Sequence, residues 1–143
     1  MNKEYYIEFV KHLGGIETPE GWNIPTDIYF YSRDLTELPI KFNIIQGRFS
    51  CSNNKLTSLK NCPKIVHGDF FCYNNKLTSL KYSPKIVNGN FYCGGNKLTS
   101  YKYIPQKLKG IICDKGSFKG KGCYKFLLDE KIITKEEYLL HII

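Results

Sequence analysis

Cys51, Cys72 and Cys93 stand 21 residues apart, each two residues beyond a phenylalanine, Phe49, Phe70 or Phe91. Thiolates are nucleophiles, redox centres and zinc ligands, so this series holds the most reactive side chains of the chain. Zinc, however, needs ligands grouped at short spacing, as in C-x-x-C with histidine companions, and none of the six cysteines forms such a pair. A thiol repeated at constant long interval is what a column of small core residues gives. Cys113 continues that column, while Cys62 and Cys123 read as isolated. His12, His67 and His141 belong to no nucleophile, zinc or phosphate-loop motif. The expectation is a protein that is not an enzyme, with no catalytic residue, no metal and no cofactor.

The lysines are also periodic. Lys55, Lys76 and Lys97 follow an asparagine, Lys60, Lys81 and Lys102 follow five residues later, and Lys64 and Lys85 follow a proline. Residues 1–40 hold three basic and seven acidic side chains, residues 41–125 hold sixteen and two, and residues 126–143 hold two and four. A block of net charge +14 thus lies between acidic ends of −4 and −2. The six lysines of the first two columns are either a solvated outer face multiplied by duplication, or a basic stripe for an acidic protein surface or a phosphate backbone.

What positions these columns is a repeat of 21 residues. Residues 44–64 read IIQGRFSCSNNKLTSLKNCPK, residues 65–85 read IVHGDFFCYNNKLTSLKYSPK, and residues 86–106 read IVNGNFYCGGNKLTSYKYIPQ. Upstream, Ile28, Phe30, Leu35 and Leu38 match Phe49, Cys51, Leu56 and Leu59. Downstream, Pro105, Leu108, Ile111 and Cys113 give a last rung one residue shorter. In F-x-C the two residues point to one side of a short strand, into a core that Leu56, Leu59 and their counterparts fill from the returning side. Asn54, Asn75 and Asn96 form a column at the turn after the strand, where an amide satisfies backbone groups the turn leaves unpaired.

The stretch F-x-C-x-x-N-x-L-T-S-L, as in Phe70 to Leu80, resembles the short bacterial-type leucine-rich repeat. The family pattern L-x-x-L-x-L-x-x-N-x-L is met from its second apolar position. At the first stand Gln46, His67 and Asn88, and an apolar pair such as Ile65-Val66 with a recurring glycine fills the gap. The resemblance implies an α/β repeat fold: a short leucine-rich-repeat solenoid of 4–5 rungs, with a parallel β-sheet on one face, a loop-like convex side, and N- and C-terminal helical caps. The expected divisions are a helical cap over 1–23, the solenoid over 24–118 and a second helical cap over 119–143, all in one compact domain. At the N-terminus Tyr5, Tyr6, Phe9, Val10 and Leu13 share one helical face that ends at Gly14-Gly15. At the C-terminus Thr134 and Glu137 form a capping box.

The outward positions of the strand differ between rungs where the core does not. They are Tyr29 and Tyr31, Ser50 and Ser52, Phe71 and Tyr73, then Tyr92 and Gly94, preceded by Asp27, Arg48, Asp69 and Asn90. Exposed aromatic rings beside an arginine are the composition of interface hot spots, so Tyr29, Tyr31, Arg48, Phe71, Tyr73 and Tyr92 form the expected partner-binding set; cross-rung stacking that stabilises the sheet is the plainer role for the same rings. The reading is a non-enzymatic protein-binding module whose partner has an acidic surface, with a nucleic-acid or ribonucleoprotein binder as the alternative. Resemblance to small phage and large-virus repeat proteins implies a virus-encoded inhibitor of a host defence protein. No apolar run reaches the ~18 residues that cross a bilayer, and the N-terminus lacks the pattern of a signal peptide. A cytoplasmic protein is expected, in the host cell if viral, with no membrane partner and with reduced thiols.

Overall fold

The computed structural model describes residues 2–114 and the backbone of 116–119. The C-terminal helical cap expected over 119–143, with its Thr134–Glu137 box, lies outside the described residues. The chain forms one helix, α1 (Lys3–His12), and eleven short strands: β1 (Ile16–Thr18), β2 (Gly21–Ile24), β3 (Ile28–Tyr29), β4 (Phe42–Ile45), β5 (Phe49–Ser50), β6 (Ile65–Val66), β7 (Phe70–Phe71), β8 (Ile86–Val87), β9 (Asn90–Tyr92), β10 (Gly110–Cys113) and β11 (Gly116–Lys119). They wind into a solenoid of about four rungs.

Two parallel ladders run along it. One has the order β3-β5-β7-β9-β10 with β11 at its end, and the other the order β1-β2-β4-β6-β8. In the first, Ile28 pairs with Phe49, Phe49 with Phe70 and Phe70 with Phe91, a constant shift of 21. The next step pairs Phe91 with Ile111, a shift of 20, as the shorter last rung requires. The second ladder corrects one detail of the sequence reading. Ile44, Ile65 and Ile86 pair in register, as do Ile45, Val66 and Val87, so the apolar pair is a second strand and not a filler. The return from the asparagine turn to the proline is free of strands and keeps the loop-like character expected of it.

The bend joining the two ladders is built on glycine. Gly68 donates to the Gly47 carbonyl and Gly89 to the Gly68 carbonyl, which carries rung-to-rung bonding through the corner. A Cβ on Gly68 would stand 2.9 Å from the Arg48 nitrogen and from the Gly47 carbonyl, both backbone and unable to move aside.

The core follows the periodic columns. Phe49 and Phe70 stack at 5.7 Å between ring centroids and Phe70 and Phe91 at 5.2 Å. Cys51, Cys72, Leu56, Leu59, Leu77 and Leu80 are fully buried beside them. Tyr101 takes the place of the second leucine in the last full repeat and is also buried. Helix α1 closes the first end: Tyr6 meets Phe30 edge-on at 5.3 Å, Phe9 packs on the same ring, and Val10 is fully buried. Asn2 caps the helix by accepting from the Glu4 N–H, and Gly14, at φ 83°, ends it. Tyr5, expected on the core face, is instead half exposed and stacks on Phe9. Antiparallel strands finish one edge of each sheet, β1 on β2 and β11 on β10.

Between strand and return sits the asparagine column. The Asn54 Oδ1 accepts from the N–H groups of Arg33 and Leu35, and its Nδ2 donates to the carbonyls of Phe30, Cys51 and Ser52. Asn75 repeats this with Leu56, Cys51 and Cys72, and Asn96 with Leu77, Cys72 and Cys93.

Two variants test this account by urea unfolding. Leu77→Ala, in a central rung that cannot close around the void, should cost about 2–5 kcal/mol. Asn75→Asp keeps the acceptor for Leu56 but turns a second oxygen on the Cys51 and Cys72 carbonyls. Burial and repulsion then raise the folded carboxyl's pKa above its unfolded value of ~3.9. The variant's deficit should therefore be full at neutral pH and shrink as pH falls through the carboxylate range, an outcome that equal deficits at pH 4 and pH 7 would overturn.

Candidate functional site

Three sets of side chains were candidates, and the fold places each differently. The thiols lie inside: Cys51, Cys62, Cys72, Cys93 and Cys113 are all buried and unpaired by disulfide. Burial pushes the Cys72 thiol far above the ordinary thiol range, with the sulfurs of Cys93 and Cys51 adding to it. Burial likewise raises Cys93. Cys62 is not isolated, as its position in sequence suggested; it touches Cys51, and burial and that hydrogen bond both raise it. The one-off cysteine fills a place that Ser83 and Ile104 take in later rungs, so no periodicity marked it. Nucleophilic thiolate is suppressed in all three.

The rings of the expected partner-binding set form two groups on the strand face. Phe71 stacks on Tyr92 at 4.6 Å and meets Tyr73 edge-on at 6.3 Å. Tyr29 meets Tyr31 at 6.2 Å. Between them lies the rung of Ser50 and Ser52, which carries no ring, so the groups stand two rung spacings apart, about 9.5 Å. Both serines are buried, Ser52 fully, and the Ser52 hydroxyl has no hydrogen-bond partner among the described residues. Tyr31 is 55% exposed and Tyr29 39%.

Arg48 is held within this face. Its Nε lies 3.7 Å from the Asp69 Oδ2. The Tyr29 hydroxyl accepts from it and donates to Asp27, and that hydrogen bond, with Asp69 and Asp27, raises the guanidinium pKa above its ordinary value. The column before the strand therefore has a structural part: Asp27 accepts from the Arg48 N–H at 2.7 Å, and Asp69 from the Asn90 N–H at 2.8 Å. Sequence variation there reflects which rung supplies the acceptor as well as what the face presents.

The lysines among the described residues are all exposed. Lys55 pairs with Asp34 at 3.2 Å. Among the described residues, Lys60, Lys76, Lys81, Lys97 and Lys102 have no carboxylate within ion-pair distance. Beside the second lysine column the fold reveals side chains that the sequence reading passed over. Asn61, Tyr82 and Tyr103 occupy one position of successive rungs, all in the left-handed region at φ 74°, 71° and 71°. Asparagine suits that region; a bulky tyrosine there stores strain of roughly 1–3 kcal/mol. Tyr82 and Tyr103 are half exposed, and Lys81 and Lys102 lie over their rings at 5.2 and 5.3 Å. The signal was present: Asn, Tyr, Tyr at an otherwise uniform position.

The thiols give a direct check. Alkylation read by mass spectrometry should leave Cys51, Cys72 and Cys93 unmodified while the chain is folded and label all three in denaturant. Rapid labelling of the native protein would place them outside the core.

In comparisons with known proteins, no family model, no curated protein and no solved structure shows significant similarity to this chain.

Proposed function

We propose that the chain is a non-enzymatic binding module that takes a protein partner on its strand face. The observation that supports this most is the contrast along that face. Inward residues pair in strict register, Phe49 with Phe70 and Phe70 with Phe91, while outward residues one position along give Tyr29, Ser50, Phe71 and Tyr92. A scaffold held constant with a varied, ring-bearing surface fits selective binding. The two aromatic groups flank a rung whose serines are small and buried, so ring-bearing and ring-free stretches alternate along the face. Rigid rings with hydroxyl tips contribute contact area at small entropic cost. Arg48, already fixed by Tyr29 and Asp69, acts in this reading as the post that orients Tyr29 more than as a free contact. Lys55, Lys76 and Lys97, in the turn that follows the strand, favour a partner with carboxylates around an apolar patch, and speed its arrival.

The test pairs two variants in affinity capture from nuclease-treated lysate. Phe71→Ala with Tyr73→Ala should lose a partner that the unmodified protein retains, by about thirty-fold in affinity, since a hot-spot truncation costs ~2 kcal/mol or more. Lys55→Glu with Lys76→Glu should lower the association rate and its salt dependence while keeping most of the affinity. A folded aromatic variant that binds normally beside a charge variant that fails would overturn the assignment.

A further inference from the structure

We infer that a second surface, the corner where each return meets its proline, is a site for single-stranded nucleic acid, with bases held against Tyr82 and Tyr103 and phosphates on the lysines around them. This goes beyond the strand-face reading and rests on none of its residues.

Two clefts open side by side at this corner. One of about 420 Å³ is walled by Lys60, Asn61, Pro63, Lys64 and Tyr82. The next, about 240 Å³, is walled by Tyr82, Pro84, Lys85, Tyr103 and Ile104. Tyr82 is common to both, so the clefts follow one another along the solenoid axis with a ring between them. Lys81 and Lys102 lie over the tyrosine rings but line neither cleft, which leaves the clefts open and the ammonium groups beside them.

Charge selects the ligand. Segments 53–68, 74–88 and 95–113 contain no aspartate or glutamate. Among the described residues none of Lys60, Lys64, Lys81, Lys85 and Lys102 has a carboxylate within ion-pair distance. The ligand is therefore an anion with several charges. The alternation of ring-walled slot and lysine along one axis narrows it further. A single strand alternates flat base and phosphate in the same way, and base stacking on tyrosine is tolerant of sequence. A duplex keeps its bases inside and offers nothing for the clefts. An acidic peptide or a lipid headgroup would use the lysines and have no need of the rings.

The backbone supplies an independent sign. Tyrosine at 82 and 103 holds a left-handed conformation that asparagine, present at 61 with nearly the same φ, adopts with less strain. Strain of this kind gathers at functional positions, and here it sets two rings outward at the mouths of the clefts.

The experiment is fluorescence anisotropy with a labelled twelve-nucleotide oligothymidine, a duplex of the same length, polyglutamate and anionic phospholipid vesicles as probes. The unmodified protein should bind the single strand more tightly than the other three. If five lysines meet phosphates, the plot of log affinity against log salt should have a slope of about −3.5. Tyr82→Asn with Tyr103→Asn should melt at or above the temperature of the unmodified protein, because the strain is relieved, and should bind the oligonucleotide at least ten-fold more weakly. Lys60→Gln with Lys81→Gln and Lys102→Gln should flatten the salt slope by about 2. Phe71→Ala with Tyr73→Ala should leave oligonucleotide binding unchanged, which separates this site from the strand face. The inference is overturned if the unmodified protein does not bind the single strand at low salt, if the folded tyrosine variant binds it undiminished, or if duplex, polyglutamate or vesicles bind as well as the single strand does.

Discussion

A side-chain amide bonded across successive rungs, at Asn54, Asn75 and Asn96, is the constraint on which the rest of this structure depends. Burying an amide without partners costs several kcal/mol, and Asn54 avoids that cost only because Leu35 and Arg33 lie on one side and the carbonyls of Phe30, Cys51 and Ser52 on the other. Those groups belong to two rungs, so the amide is satisfied only when both are in one register. A slip of one residue would strand the amide and also turn Phe49 and Cys51 outward, since strand side chains alternate. Both penalties act in the same direction. Strands of two residues, too short to fix register by their own ladders, can therefore stack with a constant shift of 21.

The same constraint divides the chain into fixed and free positions. Phenylalanine, cysteine and leucine columns are fixed by the core, asparagine by the turn, and glycine by the bend, where Gly68 has only backbone around it. The position before the strand is partly fixed, since Asp27 and Asp69 each hold an amide of the next rung. What remains free is the outer strand face, the exposed lysines and the place of Asn61, Tyr82 and Tyr103. These are the positions at which the repeats depart from duplication or carry unpaired charge, and they lie on different sides of the coil. The two proposed surfaces therefore share no side chain.

Legibility in the sequence followed the same division. The columns of Phe49, Cys51, Asn54, Leu56 and Leu59 could be read from the period because each is demanded by burial or by an unpaired backbone group. The 20-residue step into β10 could be read too, because Ile111 and Cys113 keep the alternation. The second ladder could not: two apolar residues such as Ile65-Val66 look alike in a strand and in a loop, and only bonding to Ile44 and Ile86 distinguishes them. Burial of Ser50 and Ser52 was hidden because a small polar residue on the outward side of a strand carries no mark of burial. The neighbours of the exposed Arg48, Asp69 and Asp27, could not be read because they stand 21 residues away on either side. The contact of Cys62 with Cys51 was hidden because no repeat copies it. The tyrosines at 82 and 103 were passed over because the asparagine that shares their position marks a left-handed turn only once the φ of all three is known.

Charge is where the constraint works against itself. Locking rungs about 4.8 Å apart repeats whatever a rung carries, so one lysine per return becomes a column of like charges. Two unit charges at that separation repel by about 0.9 kcal/mol in water, and by more where the surface lowers the dielectric. Lys55 offsets this through Asp34, which the leading rung supplies. The columns of Lys60, Lys81 and Lys102 and of Lys64 and Lys85 run through segments that contain no carboxylate. The exposed ammonium groups lower the repulsion by spreading into solvent, and Lys81 and Lys102 settle over neighbouring rings. The repulsion left over is carried by the amide column and the ladders, and any polyanion bound along these columns would lower it.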